Sequence, residues 1–174
     1  MLILLVALSL SMDAFSLALI YGINGISKKN EIVLSAIVGL FHLIMPLIGY
    51  RLGEFILEIF PIELHMLVTI IFVLIGIEMI VDSFKEQKYS MITDIVGMLL
   101  FGLAVSIDSF GIGIGFDILT NNIFISSIIF MIISSMITYI GLSFGKIIGN
   151  KIGKISNLIG GIMLVALGII YLFK

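Results

Sequence analysis

Residues Leu2–Ile23 read LILLVALSLSMDAFSLALIYGI, 22 residues with one charge, Asp13, near the middle. As a helix this stretch is about 33 Å long, close to the thickness of bilayer hydrocarbon. Its apolar residues fall on every side rather than along one stripe, as on a helix facing both lipid and other helices. They do not alternate, which argues against a strand of a membrane barrel. A secretory signal would begin with a basic segment. This one does not, and it carries an acid at its centre, so it reads as a retained helix.

Five further stretches have the same character, at approximately 32–53, 62–84, 93–116, 122–145 and 155–173. The whole composition agrees. Of 174 residues, 61% are apolar and 11% charged, and the mean hydropathy is +1.34. A soluble domain carries roughly a quarter charged residues, so the expected fold class is an all-α membrane protein of six transmembrane helices. The links are short, and the chain reads as a single transmembrane domain over residues 1–174. The absence of cysteine excludes thiolate metal or redox sites. A net charge of −2 without a basic run argues against nucleic acid as a partner. The expected surroundings are the lipid bilayer.

Lysine placement sets an expected orientation. Lys28 and Lys29 fall in the first link, Lys85 and Lys88 in the third, and Lys146, Lys151 and Lys154 in the fifth. The second and fourth links carry Glu54, Glu58 and Asp117 and no lysine. Positive charge favours the cytoplasmic side, so both termini are expected outside. Arg51 and Lys174 sit at helix ends, where they can snorkel.

The centre of the first span has an echo. Ser11-Met12-Asp13-Ala14-Phe15 matches Ser106-Ile107-Asp108-Ser109-Phe110 in the fourth. Ile48-Gly49 with Gly53 in the second span matches Ile140-Gly141 with Gly145 in the fifth, and Gly76-Ile77 can be laid, more weakly, on Gly168-Ile169. Each unit holds three helices, repeat 1 at about 1–88 and repeat 2 at about 89–174. Three is odd, so the second unit enters the membrane from the opposite side. Inverted repeats of this kind are a common transporter design with a site at the midplane, able to rock between two equivalent openings.

Gly141, Gly145, Gly149 and Gly153 recur every fourth residue, as do Gly49 and Gly53. At that spacing, small residues form a ridge for close helix packing. Gly111, Gly113 and Gly115 instead alternate just after Asp108 and weaken the helix there, freeing it to bend or unwind.

Asp13 and Asp108 are the charges that need explaining. On insertion scales an ionised Asp at a helix centre costs about 2.5–3.5 kcal/mol, and no Lys or Arg lies deep in any span. The acids either are protonated and bonded to Ser or Thr, line a wet cavity, or share a visiting cation. Equivalent positions in inverted halves let them converge, which favours the last two together. The plain alternative is a pair of neutral acids that lock helices together.

Ser9 and Ser16 share the Asp13 face at helical spacing. Ser11 and Ser106 precede the acids by two and Ser109 adjoins Asp108, so these join only where the backbone unwinds. In the second span His42 lies four before Pro46, whose missing amide frees the His42 carbonyl. In the matching part of the fifth stand Ser134, Ser135, Thr138 and Tyr139. His42 is either a metal ligand or a neutral histidine bonded to a serine, with Pro46 giving only a kink. Glu78 is a candidate relay in the third span. Asp82, one turn on, reads as solvated near the interface, and Glu63 and His65 as a solvated face.

Carboxylates, hydroxyls and backbone carbonyls suit a hard or borderline divalent ion such as Mg, Ca or Mn, and an imidazole tilts the choice towards Mn. The candidate metal-site residues are Asp13, Asp108 and His42, with Ser9, Ser16, Ser106, Ser109 and Glu78 as auxiliaries. Pro46, Gly49, Gly53, Gly111, Gly113, Gly141 and Gly145 are assigned to hinge or packing roles. No resident cofactor is expected, the metal being cargo.

The two Asp motifs, Gly39-Leu40-Phe41-His42 followed by Met45-Pro46-Leu47-Ile48-Gly49, and Asn157-Leu158-Ile159-Gly160-Gly161-Ile162 together resemble the bacterial manganese efflux pump family of the MntP type. The resemblance covers nearly the whole chain. It implies export of Mn²⁺ from the cytoplasm across the bacterial plasma membrane, with Asp13 and Asp108 central to the ion path. A related group of sporulation membrane proteins shares the Asp repeat, so a structural role without transport is the alternative.

No Gly-x-x-x-x-Gly-Lys run occurs, so a nucleotide-driven pump is not expected. Uphill export then draws on a proton gradient or the membrane potential, and His42 and Glu78 are candidates for proton coupling. An intramembrane aspartyl protease is a third class. It fits poorly: Gly113-Ile114-Gly115 is followed by Phe116 before Asp117, and no Tyr precedes Asp13.

Overall fold

The computed structural model describes residues 2–23, 25–59, 64–84, 94–148 and 150–172. The side chains of 56–59, 64–65, 67, 118, 146–148, 150–154, 156–157 and 171 lie outside that description. Outside it too lie Gly149, the Gly153 packing surface, Glu63, His65, Lys85, Lys88, and the side chains of Lys146, Lys151 and Lys154.

Among the described residues every regular element is a helix: α1 (Leu2–Ile23), α2 (Lys28–Ile59), α3 (Leu64–Phe84), α4 (Ile95–Val105), α5 (Ile107–Ile114), α6 (Phe116–Leu119), α7 (Ile123–Ile148) and α8 (Asn150–Leu172). They form six helical units, α4–α6 being one interrupted rod. By length and composition, four stretches among the described residues suffice to cross a membrane: Leu2–Ile23, Lys28–Phe55, Ile95–Ile114 and Ile123–Gly145.

Several boundaries differ from expectation, and α2 begins already at Lys28. Helix α2 runs on to Ile59, and α7 and α8 extend into the expected fifth link. Hydropathy marks the lipid-crossing part of a helix, whereas its ends depend on hydrogen bonding that polar residues also sustain. Between α1 and α2, Gly25 takes φ +79 and its amide donates to the Gly22 carbonyl. This left-handed turn ends the first helix. The Ser27 hydroxyl then accepts from the Asn30 amide and starts the next.

The bundle buries hydroxyls and an imidazole among its apolar core and leaves large aliphatic side chains outside. Ser9, Ser11, His42, Ser106, Ser109, Ser127, Ser134 and Thr138 are buried, while Leu40, Ile48, Leu100, Ile132 and Ile170 are exposed. Water would make the reverse arrangement the stable one. An exterior of bare aliphatic side chains has hydrocarbon as its solvent.

Glycine contacts fix how the helices meet. Gly141 of α7 packs on Phe15 and Ala18 of α1, and Gly145 on Leu19 and Gly22. Gly49 of α2 packs on Phe110 and Gly113 of α5, and Gly53 on Ile114. Both registers ascend together, so α1 and α7 are parallel, as are α2 and α5. Gly76 of α3 meets Gly161 and Val165 of α8, while Gly168 meets Thr69, Phe72 and Val73. That register descends, so α3 and α8 are antiparallel. Gly49, Gly53, Gly141 and Gly145 thus all lie against the backbone of a neighbouring helix. Gly113, against the Pro46 backbone, serves packing as well. Helix α2 continues through Pro46 without interruption.

Candidate functional site

The fourth unit is interrupted before its acid, at Ser106, and again at Gly115. The expected loosening from alternating glycines therefore appears only at Gly115, since Gly111 and Gly113 lie within α5. The cause at Ser106 is a competition for one carbonyl. Its hydroxyl donates to the Gly102 oxygen at 2.6 Å, the acceptor its own amide would use in a regular helix. The amide turns to Leu103 instead, and the backbone relaxes to φ −100, ψ 2. The Ser109 hydroxyl secures the break by donating to the Ser106 carbonyl at 2.6 Å. In α1 the same hydroxyl bond, Ser11 to Ala7 at 2.6 Å, leaves the helix whole. Ala7 stands where Gly102 does, and glycine costs a helix about 1 kcal/mol more than alanine.

Behind the break sits His42. Its Nδ1 lies 2.9 Å from the Val38 carbonyl and 3.0 Å from the Ser106 hydroxyl. The Val38 carbonyl only accepts, so Nδ1 carries the proton and shares it with the Ser106 oxygen. This is the reading of His42 as a histidine bonded to a serine. Its Nε2 is buried with no hydrogen-bond partner. The other half has a matching pair: the Ser11 and Ser134 hydroxyls are 3.0 Å apart, with Ser134 donating because Ser11 already donates to Ala7. Helical spacing alone does not reveal the Ser11–Ser134 pairing, because it joins two units far apart in the chain. The only signal was that Ser134 falls in the part of the fifth span matching His42.

The two intramembrane acids line one cavity of about 420 Å³. Its walls are Asp13, Leu17 and Tyr21 from α1, Glu78 and Asp82 with Ile75 from α3, and the face of α4 and α5 from Leu100 to Asp108. It extends from the acids towards the end of the bundle where α1 and α3 finish and α4 begins. Tyr21 and Phe101 meet edge to face near that end, with ring centroids 4.8 Å apart. Among the described residues that line it there is no Lys or Arg. Asp13, Glu78 and Asp82 all lie within electrostatic reach of Asp108. Asp82, read from sequence as merely solvated, thus belongs to the same chamber as the deeper acids.

The other expected site residues lie elsewhere. Ser9 and Ser16 are buried, and their hydroxyls donate to the Leu5 and Met12 carbonyls at 2.8 Å. Neither lines the cavity, and nor do His42, Ser106 or Ser109. Among the described residues no three of His, Cys, Asp and Glu gather closely enough to hold a metal ion. The arrangement is an acid-lined chamber rather than a preformed chelate, so a divalent ion inside it would keep part of its hydration shell.

A protein family described as "Putative manganese efflux pump" (Mntp) matches residues 25–172. The "Putative manganese efflux pump MntP" of Bacillus pumilus (strain SAFR-032) is 30% identical over 170 residues, 97% of this chain and 92% of that protein. The protein of the same name from Bacillus thuringiensis (strain Al Hakam) is 30% identical over 172 residues, 98% of this chain and 94% of that protein. No solved structure matches.

Proposed function

The chain belongs to the manganese efflux pump family, and on that premise we propose that it is a secondary transporter exporting Mn²⁺ from the cytoplasm across the bacterial plasma membrane. One observation carries the reading: Asp13 and Asp108, from two separate helical units, line a single chamber together with the further carboxylates Glu78 and Asp82. Two carboxylates at membrane depth are unfavourable by about 5–7 kcal/mol if ionised. A divalent cation between them cancels that charge at the moment of passage. Glu78 and Asp82 form the approach from the cytoplasmic side, and the deeper pair forms the transit site. His42 acts through Ser106 as a positioning residue for the helix break that presents Asp108.

The architecture proposed with this function is six spans in two inverted repeats, with both termini outside. Its support is internal. Gly49 on Phe110 and Gly113 repeats Gly141 on Phe15 and Ala18, and Gly53 on Ile114 repeats Gly145 on Leu19. Ser106 with His42 repeats Ser11 with Ser134. An in-plane two-fold axis generates such a set of paired contacts, and a bundle without internal symmetry has no cause to.

The test is genetic and elemental. In cells lacking their own manganese exporter, the wild-type chain should restore growth in high Mn²⁺ and lower the cellular manganese content. Asp13→Asn and Asp108→Asn should each abolish both effects at normal expression. Full resistance in either variant would defeat the proposal. Unchanged manganese on deleting the gene would favour the structural alternative.

A further inference from the structure

The two halves of the bundle match in their glycine and serine contacts but not in how α3 and α8 sit on their neighbours. In one half, Gly160 of α8 lies flat on α1. A Cβ added there would come within 2.8 Å of the Met12 Cβ and of the Ser9 carbonyl. By the register that pairs Asp13 with Asp108 and Gly76 with Gly168, the counterparts of Gly160, Met12 and Ser9 are Val68, Ile107 and Ala104. In that half the contact is missing. Ile107 and Ala104 line the acidic chamber, and Val68 packs instead on Gly115, about two helical turns beyond Ile107.

The same register carries the chamber's apolar walls to a sealed region. Leu17, Tyr21, Phe101, Val105 and Ile75 correspond to Ile112, Phe116, Val6, Leu10 and Leu167. All five counterparts are buried, none more than 8% exposed, and they belong to one apolar cluster. Glu78 corresponds to Ile170, so the sealed side lacks that carboxylate.

We propose that these five residues form a closed outer exit, the counterpart of the inner chamber, through which a partly hydrated divalent cation leaves. The proposal rests on the inverted-repeat and export readings above. In this structure the inner chamber reaches the acids and the outer exit is shut by α8 on α1. Transport exchanges the two packings: α3 slides to cover Ala104 and Ile107 while α8 slides off Ser9 and Met12. The exit lacks a counterpart of Glu78, so an ion entering it meets an apolar wall where the inner chamber offers that carboxylate.

The chain's lack of cysteine allows a direct test. Single variants Ala104→Cys, Leu10→Cys and Ile112→Cys are treated in vesicles of known orientation with a membrane-impermeant thiol reagent, with lipid-facing Ile132→Cys as the unreactive reference. Ala104→Cys should label from the cytoplasmic side. Leu10→Cys and Ile112→Cys should label from the opposite side at least roughly tenfold faster than the reference, as for a minor state populated at a few per cent. Two outer positions are used so that one misfolding variant does not end the test. Wild-type vesicles are assayed in parallel for Mn²⁺ flux. Flux without outer labelling at either position overturns the exit but leaves the export reading intact. Outer labelling without Mn²⁺ flux supports the exit and overturns manganese as the cargo. Labelling of Leu10→Cys and Ile112→Cys from the cytoplasmic side alone also overturns the proposal.

Discussion

The contact between α3 and α8 gives a sharp test of how closely the bundle is packed. A Cβ added at Gly76 would lie 2.7 Å from the Gly161 carbonyl oxygen, 2.7 Å from the Val165 Cγ2 and 2.9 Å from the Val165 amide nitrogen. Two of these neighbours are backbone atoms and cannot rotate away. The helices would have to separate by about 0.7 Å before ordinary contact is restored, disturbing the reciprocal approach of Gly161 to the Gly76 carbonyl. At the related position Gly168, the nearest atoms are the Val73 Cγ2 at 2.9 Å, the Phe72 Cβ at 3.1 Å and the Thr69 oxygen at 3.2 Å. The first is a side-chain methyl that can move, and the other two need only a few tenths of an ångström. Alanine gains about 1 kcal/mol of helix propensity at either site. Overpacking costs about 1–3 kcal/mol where nothing can yield. With two immovable backbone neighbours the cost at Gly76 falls at the upper end, so Gly76→Ala should be destabilised by about 2 kcal/mol net, and Gly168→Ala should be near neutral. For a chain of this size each kcal/mol moves the melting temperature by roughly 2–4 °C. Thermal unfolding of the two purified variants in the same detergent reads the difference. A Gly76→Ala protein as stable as wild type, or less affected than Gly168→Ala, would refute the reasoning.

Three further outcomes follow from individual contacts. Ser106→Ala removes the hydroxyl that holds the Gly102 carbonyl and the His42 Nδ1, so the break should shift. The apparent KM for Mn²⁺ in vesicle transport should rise several-fold at unchanged expression, with recovery in Ser106→Thr; an unaltered KM would show that the break does not position Asp108. The Thr138 hydroxyl is buried without a hydrogen-bond partner, so Thr138→Val should be neutral or stabilising by about 1 kcal/mol, and a clear fall in melting temperature would contradict that. Gly25→Ala meets no steric obstacle but must adopt φ +79, which should cost about 1–2 kcal/mol, with Gly25→Asn milder; equal stability of all three proteins would exclude a left-handed turn.

Much of the site was legible because membrane insertion makes charge conspicuous. An Asp among aliphatic residues needs a cause, and two of them in matching motifs point to a shared site. Glu78 could be suspected on the same ground. Asp82 escaped because an acid near a helix end has solvent as a sufficient explanation, and only the packing of the helices places it in the chamber. Ser9 and Ser16 show the reverse. Helical spacing sets them on the Asp13 face, yet a serine in a helix can satisfy its hydroxyl on the carbonyl one turn back, and both do so.

By itself the sequence determined the class of solvent, the helical units, and the recurrence of the Asp13 motif around Asp108. These follow from local properties: hydropathy over about 20 residues, and short motifs that recur. Only the tertiary structure decided where the fourth rod breaks, that His42 bonds Ser106 and stays outside the chamber Asp108 lines, and that α3 and α8 grip their neighbours in different registers. Each of those depends on which of two competing partners a carbonyl or a helix face takes, and both partners are compatible with the same local sequence until the helices are packed together.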